Sequence, residues 1–237
     1  MQLDNMQQNN RKKGKLYGVG VGPGDPELLT IKAVRIINEC KWIAVPGMKK
    51  EETAAYQIVS GVIPELSGKP CLEIEMPMTK DAGLLQSKHE EGCRRLAGLL
   101  DTGENVAFLT LGDPTVYATY FYLHKMLEKA GYEAEIINGI PSFCAVAAKM
   151  DISLGEKSEQ IHIIPSSYEL EEAVHLKGTK IFMKAGKKFS HLKELLQKEG
   201  GEVYMAENCM MPGEKIYHGV ENLPEEAGYY TLTILKS

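Results

Sequence analysis

The sequence predicts an α/β protein of two domains, the first built on a mainly parallel sheet and the second on a mixed one. Two observations carry this. Up to about residue 138, short apolar runs alternate with amphipathic helical stretches, the order in which an open parallel sheet is laid down. Beyond it, five apolar runs flanked by glycine or proline turns share one long helical pattern, too few crossovers for an all-parallel sheet. The 237 residues suit this division, because domains commonly run about 100–150 residues. The expected layout is a disordered lead-in over 1–14, an N-terminal domain over 15–138 and a C-terminal domain over 139–237.

Leu16–Gly22 (LYGVGVG) reads as a buried strand entering a glycine turn, and Pro23-Gly24-Asp25-Pro26-Glu27 as the start of a helix. Asp25 suits the N-cap, Pro26 the first turn and Glu27 the positive helix end, while Leu29, Ala33, Ile36 and Ile37 share one face. A strand over Trp42–Val45 closes at Pro46-Gly47, and a helix is expected across Thr53–Leu66. Cys71–Met76 alternates Leu72, Ile74 and Met76 with Glu73 and Glu75, the pattern of a half-exposed strand near a sheet edge. A helix over 82–100 precedes Asn105–Leu111, whose continuous apolar run marks a central strand. Gly112-Asp113-Pro114 repeats the first turn's chemistry before a helix expected from Pro114 to Ala130, stopped by Gly131. Glu133–Ile137 is a fifth strand and Phe143–Lys149 a small-residue helix. Later strands are expected at 161–164, 180–184, 202–206, 215–218 and 229–235, with a helix near 189–199.

Composition excludes several classes. With 43% hydrophobic and 25% charged residues the chain is neither disordered, collagenous nor a coiled coil. A net charge of −5 argues against a nucleic-acid binder that depends on a basic surface. Five widely spaced cysteines without a C-x-x-C suit a reduced cytoplasm, and six histidines without paired spacing point to no protein-bound metal. The start, MQLDNMQQNNRKKGK, lacks the apolar run of a signal peptide, and no stretch approaches the ~20 apolar residues of a membrane span.

Glycine is the mild outlier, at about 10% of residues against ~7% in ordinary chains. Several glycines sit where strands end in Gly-Asp-Pro or Gly-x-Pro-Ser turns, at 22–26, 112–114 and 139–142. Ligands of open α/β sheets lie outside the carboxyl ends of the strands, and glycine there lets a ligand approach the backbone. The same turns are also good helix starts, so a structural role competes with a ligand site. A G-x-G-x-x-G fingerprint fails, because the sixth position from Gly18 is Pro23 and from Gly20 is Asp25; no Walker Lys-Ser/Thr follows either. Asp25 and Asp113 stand where a phosphate site would carry Lys or Arg, which suits a cationic ligand such as the sulfonium of S-adenosylmethionine (SAM).

The stretches LYGVGVGPGDPELLTIKA (16–33), VAFLTLGDPTVYATY (106–120), NGIPSFCAVAA (138–148), KIFMKAGK (180–187) and YMAENC (204–209) resemble the SAM-dependent tetrapyrrole methylases. Within that family the chain is most similar to the methylases of carbon 20 of precorrin-2 and cobalt-factor-2, in corrin-ring (vitamin B12) biosynthesis. The resemblance covers residues 15–236 and implies two α/β domains with a SAM cleft between them, an anionic tetrapyrrole substrate and a homodimer. It places the cofactor at Pro23, at Leu111, Gly112 and Asp113 with Val116 and Tyr117 beyond, at Ser142 and Phe143, at Met183, and at Asn208 and Cys209. At the last position the chain departs from the family, where glycine follows the asparagine. Thr231 and Thr233 lie in a strand assigned to the adenine side. Related uroporphyrinogen methylases carry a Tyr-Asp pair at the end of the second strand, where this chain has Val45-Pro46.

No motif identifies a catalytic base; Asp81, His89 and Tyr117 are candidates, each with an ordinary structural role as the alternative. For a polycarboxylate substrate, the basic candidates are Lys49-Lys50, Lys80, Arg94-Arg95 and Lys187-Lys188. Other methylases of the family (uroporphyrinogen, other precorrin or diphthine-type) and a non-catalytic α/β ligand-binding module remain as alternative readings.

Overall fold

The computed structural model describes residues 12–165 and 169–237, the side chain of Lys187 apart, so residues 1–11 of the expected lead-in lie outside the described residues. Gly14, at the end of that lead-in, is buried and donates its N–H to the Leu100 carbonyl at 2.8 Å. The chain packs as two compact units, divided between Ile140 and Pro141.

In the first unit the elements follow the order β1 (Leu16–Gly20), α1 (Ile31–Glu39), β2 (Trp42–Pro46), α2 (Ala54–Ser60), β3 (Cys71–Ile74), α3 (Ala82–Leu100), β4 (Val106–Thr110), α4 (Tyr120–Lys129) and β5 (Ala134–Ile137). The strands form one parallel sheet in the order β3-β2-β4-β1-β5. Every residue of β4 is buried, as its unbroken apolar run requires of a central strand, and β3, with its alternating glutamates, lies at the edge. Period-two alternation divides the core. Val19, Val21, Ala107 and Leu109 face Ile36 and Ile37 of α1 and Ile58 and Val59 of α2; Leu16, Val106 and Phe108 face Leu96 and Leu100 of α3 and Tyr120, Leu123 and Leu127 of α4.

Three helix expectations are corrected. Asp25 caps only a short 3-10 turn, Pro26–Leu28, and α1 begins later behind Thr30, whose hydroxyl accepts the Ala33 N–H at 3.1 Å. The helix expected across Thr53–Leu66 stops at Ser60; a separate 3-10 turn, Pro64–Gly68, opens on a proline that has no N–H to continue the ladder. The helix expected from Pro114 starts only at Tyr120, because Tyr117 takes a positive φ of 48°, which no α-helix accommodates.

The second unit contains α5 (Ser142–Lys149), β6 (Ile161–Pro165), α6 (Glu171–Val174), β7 (Thr179–Met183), α7 (Phe189–Glu199), β8 (Glu202–Glu207), β9 (Lys215–His218) and β10 (Thr231–Lys236). Its sheet runs β6-β7-β10-β8-β9, with β6 and β7 parallel and the other pairs antiparallel, so it is mixed as expected. The one-turn helix α6 was absent from the sequence expectation; four residues carry too little periodicity to reveal it. Phe182, Met205 and Leu235 pack on α6 and α7, while Ile181, Ala206, Leu232 and Ile234 pack on the α5 side. Among the described residues, no helix is long and apolar enough to cross a membrane.

Candidate functional site

Because β1 to β5 are all parallel, their carboxyl ends share one edge of the first sheet, and the three glycine turns follow β1, β4 and β5 at that edge. Two of them are joined directly. The Gly22 N–H donates to the Gly112 carbonyl at 3.2 Å, and the Gly112 N–H returns to the Gly22 carbonyl at 2.7 Å. A Cβ on Gly20 would stand 2.5 Å from the Gly139 nitrogen, and one on Gly139 would stand 2.1 Å from the Gly112 oxygen. Gly20 and Gly139 therefore let the turns approach one another, the structural role that competed with a ligand site at these positions. Gly18 makes room for the Tyr120 ring in the same way. Gly112 differs: at φ 70° its added Cβ would meet only the Ile140 carbonyl oxygen, at 3.9 Å, so this turn has an open face.

Asp113 fastens the arrangement. Its Oδ1 accepts the Thr115 hydroxyl at 2.5 Å and the Thr115 N–H at 2.8 Å; its Oδ2 accepts the Gly139 N–H at 3.0 Å and the Asn138 side-chain amide at 3.2 Å. The residue is only 5% exposed. Burial pushes its pKa up, but the Thr115, Gly139 and Asn138 donors outweigh that and hold the carboxyl below its ordinary value. The group is thus an anion whose oxygens are occupied by the protein. Sequence reasoning missed Thr115 and Asn138; the D-x-T spacing of an Asx turn was the available signal for the first. Around this knot, Pro23 is buried in the bend beyond Gly22, Leu111 and Val116 are half-buried, and Tyr117 is exposed on its left-handed backbone.

The remaining expected cofactor residues lie in the second unit. Ser142 and Phe143 open α5 after Pro141. Met183 ends β7 and Asn208 follows β8, beside the amino end of β10 that runs between them. The Lys184 N–H donates to the Thr231 carbonyl at 3.3 Å and the Asn208 N–H to the Tyr230 carbonyl at 2.9 Å. Both donors sit at positive φ, 59° and 49°, a strain of the kind that clusters at ligand sites. Phe143, Met183 and Cys209 meet in one apolar cluster with Val146, Ile181 and Leu232. Burial, with the Glu214 carboxylate, pushes the Cys209 thiol up to about 11, so it is a packed thiol and not a thiolate nucleophile. Glu214, which sequence reasoning missed, accepts the Met210 N–H at 2.7 Å and pairs with Lys149 at 2.9 Å, tying this turn to the end of α5. Thr233 lies on the strand face opposite Leu232, toward α6 and α7, and its hydroxyl is buried with no partner among the described residues.

Each unit thus has its own feature of interest: an open turn face at Gly112 in the first, and an apolar cluster flanked by left-handed backbone in the second. Of the base candidates, Asp81 caps α3 by accepting the Leu84 N–H, and His89 is buried against Tyr122, its ring stacked at 5.0 Å. Among the basic candidates, Lys49 pairs with Glu52 and Arg95 donates to the Glu73 carbonyl at 2.7 Å, while Lys80 is exposed. Among the described residues, no group of three or more His, Cys, Asp or Glu side chains is placed to hold a metal ion.

Residues 15–223 match the family described as Tetrapyrrole (Corrin/Porphyrin) Methylases. A probable cobalt-precorrin-2 C(20)-methyltransferase of Methanocaldococcus jannaschii is 35% identical over 96% of this chain and 98% of its own. The cobalt-precorrin-2 C(20)-methyltransferase of Salmonella typhimurium is 27% identical over 90% and 91%. In fold, the chain resembles uroporphyrin-III C-methyltransferase from Thermus thermophilus, solved with S-adenyl homocysteine, at a TM-score of 0.69 with 20% identity, covering 94% of this chain and 97% of that one. On the extent of the family match and the identity to the archaeal relative, this chain is a member of the tetrapyrrole (corrin/porphyrin) methylases.

Proposed function

We propose that the chain transfers a methyl group from SAM to carbon 20 of precorrin-2 or of its cobalt-containing form, in the building of the corrin ring. The observation that carries this reading is the near end-to-end 35% identity to a relative of that name, joined to a carboxyl-edge turn fixed by Asp113 with one open face at Gly112. Bound SAM supplies a methyl group already activated by its sulfonium. The protein's task is then to align donor and acceptor and to keep water away. Leu111, Gly112 and Asp113, with Pro23, Val116 and Tyr117, form the cofactor-holding turn of the first unit; Asp113 acts by fixing the turn, since its oxygens already have protein partners. Ser142, Phe143, Met183, Asn208 and Cys209 supply the second set. The same reading has the enzyme in a reducing cytoplasm as a homodimer, acting on a small anionic macrocycle and not on nucleic acid or at a membrane. All five cysteines are free, and the net charge is −5, in keeping with that.

Thermal unfolding with and without S-adenosylhomocysteine tests the cofactor half. At a hundred times its dissociation constant the ligand stabilises by about 2.7 kcal/mol, so a clear rise in Tm is expected. An unchanged Tm at saturating ligand removes the methylase reading.

A further inference from the structure

Large apolar side chains that remain exposed in the first unit are not scattered. Of the seven among its described residues, six are Ile31, Met48, Met78, Leu84, Tyr117 and Tyr122; only Val62, after α2, lies elsewhere. Ile31 opens α1, Leu84 lies in the first turn of α3 and Tyr122 in the first turn of α4. Met48 and Met78 follow β2 and β3, and Tyr117 follows β4. In a parallel α/β sheet the loops after strands and the first turns of the following helices share the carboxyl edge. The exposed apolar surface of this unit is therefore gathered on the edge that carries the glycine turns. Single exposed hydrophobes are ordinary, but six on one edge, two of them on adjoining loops, set that edge apart.

The loops after β2 and β3 form its outer half. They are tied together, since the Gly47 N–H donates to the Ile74 carbonyl at 2.8 Å and the Lys50 N–H to Glu73 Oε1 at 2.8 Å. Met48 is 72% and Met78 80% exposed, and each lies a few residues beyond the last paired positions, Pro46 and Ile74. Lys80, on the Met78 loop, is exposed and has no acidic partner among the described residues. Lys49, next to Met48, meets only the equally exposed Glu52, a pair that water already screens. Neighbouring strands stand about 4.8 Å apart, so these loops begin roughly 5–10 Å from the turn after β4.

We infer that Met48, Met78 and Lys80 form the seat of the tetrapyrrole, the two thioethers lying against the macrocycle and Lys80, with Lys49, meeting peripheral carboxylates. The inference rests on the methylase reading for the identity of the occupant. Methionine suits the task because a flexible, polarisable chain adapts to a large ring without a preformed slot. The seat is continuous with the Gly112 turn through β4, the neighbour of β2 in the sheet, which brings the acceptor next to the cofactor turn.

The test is binding of uroporphyrin III, a light-absorbing polycarboxylate porphyrin, to the full chain and to Met48→Glu/Met78→Glu and Lys80→Glu, with S-adenosylhomocysteine binding and oligomeric state measured on the same samples. These side chains are solvent-exposed, so the variants fold. The seat predicts porphyrin binding weakened about tenfold or more in both variants, with S-adenosylhomocysteine affinity and oligomeric state unchanged. Unchanged porphyrin affinity overturns it, as does a wild-type chain that takes S-adenosylhomocysteine and no porphyrin. Retained porphyrin binding with a shift in oligomeric state overturns it in favour of a second copy as the occupant. Porphyrin binding that is lost in the variants while the wild type ignores S-adenosylhomocysteine supports the seat and rejects the methylase reading, so the two claims fail separately.

Discussion

The Asp113 carboxylate accepts the Gly139 backbone N–H at 3.0 Å, across 26 residues of sequence. That single bond joins the turn after β4 to the turn after β5, and with the reciprocal Gly22–Gly112 bonds it makes one structure of three separate strand ends. Asp113→Ala removes the buried carboxylate that holds the half-buried Gly139 N–H and the Thr115 donors, at a cost of about 1–3 kcal/mol. Urea unfolding near neutral pH reads that loss. Equal stability of the two proteins would show that the knot is dispensable.

The pH dependence of that cost has a definite sign. The folded pKa of Asp113 is depressed below its ordinary 3.8, so its contribution is complete above that value and disappears as pH falls through the folded pKa. The stability gap between wild type and Asp113→Ala therefore narrows in acid below 3.8 and is constant through the neutral range. A gap that widens in acid contradicts an ionised, donor-held carboxylate.

His89 acts in the same direction, in a higher pH window. Burial lowers its pKa below 6.5, so the unfolded chain binds the proton more readily, and stability is complete above 6.5 and lost as pH falls toward the folded value. Wild-type Tm is expected to drop between about pH 7.5 and about pH 5.5. His89→Phe, which keeps the stack on Tyr122 without a titrating nitrogen, is expected to drop less. Identical pH profiles would remove His89 as the cause.

Glycine substitutions separate the turns from an ordinary helix. Gly139→Ala puts a methyl group 2.1 Å from the Gly112 carbonyl oxygen, between backbones that cannot yield, and is expected to prevent the turns from closing. Gly98→Ala, on an exposed face of α3 with nothing within 4 Å, is expected to stabilise by about 0.5–1 kcal/mol. Thermal melts of the two variants check both signs.

The alternation of apolar runs and helical patterns was enough to read the parallel sheet, because strands such as Val106–Thr110 are buried on both faces and so are apolar throughout. Helix starts were harder. Asp25 reads as a cap and Pro114 as a first helical residue, yet each belongs to a turn that packs against another turn, and such a partner 26 or more residues away leaves no local trace. For the same reason the motifs pointed to these turns, while the roles within them were legible only in space: Gly20 and Gly139 admit neighbouring backbone, and the Asp113 carboxylate faces Thr115, Asn138 and Gly139. Glu214 had no signal, since its partners Met210 and Lys149 are set by the turn after β8 and by α5.

Methylation at carbon 20 is read by anaerobic turnover of precorrin-2 and its cobalt form by the purified chain, using SAM with an isotopically labelled methyl group and locating the label in the product by NMR. One labelled methyl on carbon 20 of at least one of the two substrates is expected. Label on any other carbon, or none in either product while S-adenosylhomocysteine binds, would contradict it.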